Sequence, residues 1–487
     1  MGDLFRRRSC GGVVPRCAPD LGAGRVSNRS GMKHFAQILI ALAAVCPVSS
    51  VLSFETSFWA WQRNEPPSEN DRAELSSEGV KTLYWQLGQL ENTHDSWRWK
   101  ARFSLPSVPN IAVIPVLRLE SRARSPFAPA AMSSLLPLIS AAAGGGRELQ
   151  IDYDCPDRLL PEYANALKQI RKLVPGLSIT ALPGWIRQPA FTELAASVAE
   201  MFPMFYDFAP DPVVPGAGPV PVIVPENARA WLAEWNRCQT PWHAGLPNFA
   251  RLTVYDLNGK SRGHIREWNW DSVSFNEALV LERATALGLT LFRARANSRI
   301  GNTPLHDQQL LAVRWPDRGA LADLIAAAKK TSARGMVVFR LPDSTAASGW
   351  SLRQLEHLSA TPHLTLKKAS DSDQVELTNE GDADLEPVFQ EGAEPVGYIL
   401  QIEAERPIFR EAEEGDFWRV RGEIARDSQA SAVMIPLATR LNFSFSHLRA
   451  GQSLKSGLIR LAPGADFAQT RFRIVHSAQS AWKSFQE

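Results

Sequence analysis

The sequence predicts an α/β fold, a (β/α)8 TIM-like barrel followed by a C-terminal β-sandwich. Strand-like and helix-like periodicity alternate from Phe54 to about Leu358. About eight such units fit a closed parallel barrel better than an open sheet. Residues 110–117 (NIAVIPVL) are nearly all apolar, as in a strand covered on both faces. Beyond Leu358 the pattern turns to short alternating strands and polar turns, the mark of a β-sandwich.

The elements follow in order. Residues 57–63 (SFWAWQR) alternate as a strand, and 82–87 form the next. After the strand at 110–117, a helix over 128–143 is kinked at Pro137 and stopped by Gly144-Gly145-Gly146. Residues 148–153 are the fourth strand. Residues 161–174 are an amphipathic helix with Pro161 at its start and Gly176 beyond its end. A strand at 177–182, a helix at 192–202 and a strand at 204–208 come next. A helix at 226–237, a strand at 242–246, a helix at 320–331 and a strand at 335–341 complete the barrel. Residues 248–317 fit no simple unit. They read as an insertion at the barrel mouth, with a hairpin arm over 251–260 turning at Asn258-Gly259. The expected domains are a leader and signal at 1–53, the barrel at 54–358, and a sandwich at 362–487. The sandwich strands are expected at 375–377, 396–402, 417–420, 432–436 and 472–475.

Gln150-Ile151-Asp152-Tyr153-Asp154-Cys155-Pro156 carries the strongest functional signal. Alternate side chains of a strand share a face, so Gln150, Asp152 and Asp154 point together. Two carboxylates and an amide at a strand end suit the mouth of a barrel, where such folds place their chemistry. The competing reading is a pair of acids that cap the next helix or bind an arginine. Asp207 offers a third carboxylate, next to Tyr206. Arg63, Arg118 and Arg340 each follow an apolar strand and either grip an anionic substrate or close the barrel end with ion pairs. Trp59, Trp61, Trp85 and Trp185 lie at or near strand ends, where aromatic platforms would hold sugar rings. Glu226 reads as a first-turn helix acid and Asp256 as a solvated acid of the hairpin arm. His243 reads as a structural histidine.

The net charge is +2 over 487 residues. Seven of the 53 Lys/Arg and two of the 51 Asp/Glu precede Phe54, so the body is mildly acidic. That argues against nucleic acid as a partner. Lys33, the apolar run 35–45 and small residues up to Ser53 have the plan of a secretory signal, which implies a periplasmic or secreted protein. The apolar run is too short to span a membrane. Met32 would then be the working start, and a lipid anchor at Cys46 is a lesser option. Export leaves two cysteines, Cys155 and Cys238, either paired or buried as thiols. No zinc spacing, phosphate loop, dinucleotide fingerprint or nucleophile elbow is present, so neither metal nor cofactor is expected. Oligomeric state is not legible.

Residues 149–156 (LQIDYDCP) and 177–185 (LSITALPGW), with Gly245-Leu246-Pro247 and residues 338–342 (VFRLP), resemble an uncharacterised family of exported bacterial proteins. That family is similar to the glycoside-hydrolase-like TIM-barrel superfamily, and the resemblance covers about residues 54–345. It implies the barrel fold, and a reaction by analogy alone. Chitinase-type barrels carry Asp-x-Asp-x-Glu at the end of the fourth strand, the Glu being the acid. Asp152-Tyr153-Asp154 matches its first part, but Pro156 stands in the Glu position. Either Asp154 takes the acid's role, another strand supplies one, or the barrel only binds.

These residues lead to two functional expectations. One is an exported carbohydrate-active enzyme of glycoside-hydrolase type acting on an envelope or extracellular glycan, with Asp152, Asp154 and Asp207 as its acids. The other is a glycan-binding or scaffolding protein on a degenerate barrel.

Overall fold

The computed structural model describes residues 54–93, 96–207, 219–285, 287–343, 349–369, 373–387, 397–426, 429–475 and 483–484. The expected signal segment and Cys46 lie outside the described residues, as do Phe208 and Val396.

The apolar, β-branched and aromatic runs between Glu55 and Phe339, outside residues 248–317, become one parallel sheet. Its strands are β1 (Glu55–Ala60), β2 (Thr82–Thr93), β4 (Ala112–Ser121), β5 (Glu148–Asp152), β6 (Gly176–Ala181), β7 (Glu200–Pro203), β8 (His243–Pro247) and β16 (Gly335–Phe339). β3 (Ser96–Arg102) folds back antiparallel on β2. Each parallel strand pairs with the next in chain order, and β16 pairs with both β8 and β1, setting Trp59 opposite Phe339. Between β7 and β8 the seam is held by two bridges, Met201–Trp242 and Met204–Gly245. The amides of Met201 and Phe205 donate across it to Pro241 and Gly245, at 3.0 and 2.8 Å. The result is an eight-stranded TIM-like barrel.

Helices cover the outside. They are α1 (Glu69–Ser77), α2 (Pro129–Ala143), α3 (Leu160–Leu173), α4 (Phe191–Ala196), α5 (Pro225–Trp235) and, after the insertion's α6 (Trp270–Ser274), α7 (Arg318–Ala328). Their ends follow local chemistry. Ser68 and Asp71 form a reciprocal capping box on α1, and the Asp317 carboxylate accepts from the Ala320 amide at the start of α7. Gly144 ends α2 at φ +56°, a left-handed conformation that glycine adopts without strain. Alternation then sorts the side chains. Trp59, Tyr84, Val116, Phe202 and Val337 form one cluster within the barrel, with Gln150 accepting from the Trp59 indole N–H. Leu149, Ile151, Leu177 and Ile179 pack outward with the helices.

One unit departs from expectation. The helix expected over 192–202 stops at Ala196, and the strand expected over 204–208 runs from Glu200 to Pro203. Apart from Glu200, the segment 198–205 is apolar on both faces, so it has no clear period from which a boundary could be read. Pro203 lacks an N–H donor, which a strand tolerates at its end.

The segment between β8 and α7 contains a five-stranded antiparallel sheet. Its strands are β9 (Arg251–Tyr255), β10 (Ser261–Ile265), β11 (Leu279–Ala284), β12 (Leu289–Ala294) and β15 (Leu310–Arg314), in the order β10-β9-β15-β12-β11. A small hairpin of β13 (Ser298–Ile300) and β14 (Thr303–Leu305) lies between. β9 and β10 turn at Asn258-Gly259, with Gly259 at φ +76°. After a short α8 (Leu352–Glu356) the chain is antiparallel β. A three-stranded sheet (Leu364–Lys368, Val375–Asn379, Ser453–Lys455) and a six-stranded sheet enclose Leu366, Leu377, Leu400, Phe443 and Phe472.

Candidate active site

The C-terminal ends of the barrel strands surround a cavity of about 660 Å³. Its chemistry begins on β5. Arg118 on β4 and Asp152 on β5 are directly paired residues, and Thr180 lies on the far neighbour β6. Asp152 is only 4% exposed. Its carboxylate accepts from Arg118 and from the Thr180 hydroxyl, both at 2.8 Å. Such a carboxylate is paired on each oxygen, as a buried charge must be.

Asp154 is placed differently. Its side chain is 52% exposed at the cavity rim, 3.6 Å from the Arg118 guanidinium. Desolvation against the cavity wall pushes its pKa above the ordinary carboxylate range. The Asp152 charge adds to that, and Arg118 opposes it. Arg118 thus faces three acids, close to Asp152 and 3.6 Å from both Asp154 and Glu120. Burial works against its charge, but Asp152, Asp154 and Glu120 together raise its pKa.

Asp207, beyond the end of β7, also lines the cavity. Both of its oxygens are held by Arg251, at 2.7 and 2.6 Å, in a bidentate pair. Its backbone is left-handed at φ +55°, and its amide donates to Val222. Aromatic side chains make the walls: Trp59, Trp61, Trp185 and Tyr206, joined by Phe249, Phe339 and Trp231. Tyr206 stacks on Phe339 with ring centroids 6.2 Å apart. The Trp185 indole N–H is buried without a hydrogen-bond partner among the described residues.

The expected acids Asp152, Asp154 and Asp207 therefore share one cavity with Arg118, Tyr206, Trp59, Trp61 and Trp185. Three expected binding residues do not line it. Trp85 sits on the other face of β2 from Tyr84, packed outward with Phe58, Leu75 and Val338. The period-two alternation of β2 sends it there. Arg63 lines a separate polar groove and donates to the carbonyls of Glu65 and Pro342. Arg340 pairs with Asp343 three residues on. Arg340 thus makes a local ion pair, as the competing reading had it, whereas Arg63 binds backbone carbonyls instead.

Several lining residues escaped the sequence. Arg251 and Phe249 come from the segment read as an insertion, and Trp231 from the middle of a helix. Thr180 had a usable signal, since it is a polar residue two positions from Ser178 on an otherwise apolar strand. The remaining expectations resolve simply. Glu226 lies in the first turn of α5, and Asp256 pairs with Arg262 at 2.7 Å. His243 stacks on Phe202, 3.2 Å from Glu200, at the opposite end of the barrel from the cavity. Cys155 and Cys238 are buried free thiols, and burial pushes the former up to about 12. Among the described residues no group of three His, Cys, Asp or Glu is placed to hold a metal ion. None of the described helices is long and apolar enough to cross a membrane.

Residues 109–267 match a family described as a domain of unknown function (DUF3142). The matched DUF3142 segment contains Arg118, Asp152, Asp154, Thr180, Trp185, Asp207 and Arg251, and leaves out Trp59, Trp61 and Phe339. No curated protein sequence matches the chain significantly. Among solved structures, the spore cortex-lytic enzyme SleL of Bacillus megaterium aligns at 12% identity. That alignment covers 63% of this chain and 73% of that one, with a TM-score of 0.41. A glycoside hydrolase family 18 N-acetylglucosaminidase of Paenibacillus barengoltzii aligns at 12% identity over 59% of this chain and 95% of that one, TM-score 0.37. A chitinase of Rhizomucor miehei aligns at 13% identity over 62% and 99%, TM-score 0.38.

Proposed function

We propose that this protein is an exported glycoside hydrolase whose proton donor is Asp154. One observation carries the reading. A carboxyl with a raised pKa stands beside a fully paired carboxylate at the rim of an aromatic-walled cavity, on the face of a barrel where strand ends converge. A general acid must hold its proton near working pH, and raising a carboxyl's pKa by desolvation and a neighbouring negative charge achieves that. Aromatic faces with scattered polar groups suit sugar rings, which present C–H faces and hydroxyl edges. The arginines of the cavity are already matched by carboxylates, which disfavours polyanionic substrates. Asp207 is clamped by Arg251 on both oxygens. The attacking group is then a water or a group on the substrate itself, an option known for glycosidases with one working carboxyl. Export is supported by the charged, apolar and small-residue plan of residues 32–53.

The test is a product assay on a panel of envelope and extracellular glycans, with Asp154→Asn alongside. The variant should bind as before and turn over far more slowly, because an amide keeps the shape and loses the proton. N-terminal sequencing of the exported protein should begin near Phe54; a mature chain starting near Gly2 would defeat the export reading.

A second reading, glycan binding without turnover, is favoured by Pro156 in the position where chitinase-type barrels carry their acid, and by the Asp207–Arg251 clamp. Saturable binding of a glycan with no product from the wild type would select it.

A further inference from the structure

One wall of the barrel cavity comes from a helix. Trp59, Trp61, Trp185, Tyr206, Phe249 and Phe339 lie on strands or on the chain just beyond strand ends. Trp231 lies in the middle of α5. Helices form the outer ring of a barrel, so Trp231 reaches the cavity from its outer rim. It differs in its contacts as well. Trp59, Trp61, Tyr206 and Phe249 all pack on Phe339, and Trp185 packs on Tyr163. Among the described aromatics of the cavity wall, Trp231 alone touches no other ring.

Its partner is a cation. The Arg187 guanidinium lies over the Trp231 ring, 3.9 Å from its centroid. Arg187 ends the single helical turn Pro183–Arg187 that follows β6. It donates twice to the Glu234 carboxylate, once at 2.8 Å. Trp231 and Glu234 are three residues apart on α5 and share a face. A second fastener joins the same two elements, for the Trp235 indole N–H donates to the Pro183 carbonyl at 3.0 Å. Trp231 is partly exposed and lines the cavity, whereas Arg187 does not line it. The guanidinium therefore backs the indole from outside, and the cavity side of the ring is left open.

We propose that Trp231 is the platform for a second sugar ring, beyond the one attacked at Asp154, and that Arg187 is the positioning residue that holds it ready. The inference rests on the glycan reading of the cavity and adds a substrate class to it: an oligomer or polymer of neutral pyranoses with equatorial substituents. Such rings present flat C–H faces that pack on an indole, and an axial hydroxyl would interrupt that face. The charge of Arg187 is answered by Glu234, so the platform selects for shape and not for charge. A ring fixed before the ligand arrives loses little freedom on binding, which is what the two fasteners provide.

The experiment measures binding by calorimetry to Asp154→Asn, which does not consume its ligand at speed. The probes are N-acetylglucosamine oligomers and cello-oligosaccharides, each from disaccharide to hexasaccharide. Affinity should rise with length in at least one series. Trp231→Ala in the same background should weaken hexasaccharide binding by about tenfold, the usual worth of an aromatic stack, so that long and short ligands bind alike. Arg187→Met should weaken it by about threefold, and Arg187→Lys, which returns a cation to the ring, should recover part of that loss. If Trp231→Ala melts far below its parent, Trp231→Phe and Arg187→Met carry the same comparison, with Trp231→Phe keeping part of the rise. No binding, or binding that ignores length in both series, overturns the inference. A Trp231→Ala variant with undiminished length dependence overturns it too, and unchanged hexasaccharide binding by Arg187→Met removes Arg187 from it. Turnover by the wild type on the same ligands judges the hydrolase separately. Length-dependent binding without product would overturn the hydrolase and keep the platform; product with length-independent binding would do the reverse.

Discussion

The barrel mouth and the C-terminal sheet solve the same problem with different outcomes. At the mouth one arginine, Arg118, serves three acids, Asp152, Asp154 and Glu120. On the sheet one acid, Glu403, stands between two arginines, Arg440 and Arg471. In each place burial demands that charge be matched. At the mouth the match leaves a carboxyl over, and its pKa rises through desolvation and the Asp152 charge. Burial also acts to raise Glu403, but the hydrogen bonds from Arg471 and Arg440 outweigh it and hold that carboxyl below its usual range. Matched groups brace a structure, and the carboxyl left over at the mouth is what a proton can address.

The sharpest break of this comparison removes the remainder at the mouth. Asp154→Asn should lower turnover by about 100- to 10,000-fold, the usual contribution of general acid catalysis. A product assay on a confirmed glycan reads this directly. Equal rates would move the acid's role to another carboxyl such as Asp207. Removing the shared cation instead should act on stability. Arg118→Met leaves Asp152 buried with Thr180 as its remaining donor, a loss of about 3 kcal/mol by the measure of broken buried pairs. Urea denaturation would show it. Asp154→Asn should leave that stability intact, and a large loss there would mean that Asp154 is a structural partner after all.

The sequence made one of these two regions legible and hid the other. Strand alternation around Asp152 and Asp154 placed both acids at the cavity, because a period of two leaves little freedom once Ile151 and Leu149 face the helices. The same rule, applied to Trp85, would have sent it outward; proximity to a strand end was the weaker guide. Arg251 and Phe249 were hidden because their segment leaves the repeating unit. The pairing of Arg251 with Asp207 spans 44 positions of sequence, and no local pattern encodes such a distance. The sheet's arginines look like ordinary exposed charges in sequence. Strand register is what sets Arg421, Asn442, Gln401 and Arg473 in one row, and register is a property of the folded chain.

On the sheet, Glu403→Gln should cost about 2 kcal/mol at neutral pH, since it removes charged acceptors from Arg440 and Arg471, and Glu423 can answer only one of them. Glu403 has a folded pKa below its unfolded one. Its stabilisation is therefore present above the ordinary glutamate value of about 4.3 and disappears as pH falls through the folded value. Wild type and Glu403→Gln should converge in melting temperature in acid and diverge toward neutrality, the wild type melting higher. A constant gap would assign the loss to packing.

The smallest expected effect has the opposite sign. Asp154 has a folded pKa above its unfolded one. Below the unfolded value, about 3.9, the carboxyl is protonated in both states and its placement carries no penalty. As pH rises through the folded value, the folded state must hold a charge that desolvation and Asp152 disfavour, so the wild type loses stability relative to a neutral side chain there. Asp154→Asn should melt slightly higher than wild type at neutral pH, and the gap should close as pH falls below the ordinary aspartate range. Half of the side chain is open to water, so screening keeps the gain small. Thermal melts across a pH series test the sign. A wild type that is the more stable at neutral pH would mean that Arg118 holds Asp154 as firmly as Asp152, and the carboxyl would then have no surplus proton affinity to spend on a substrate.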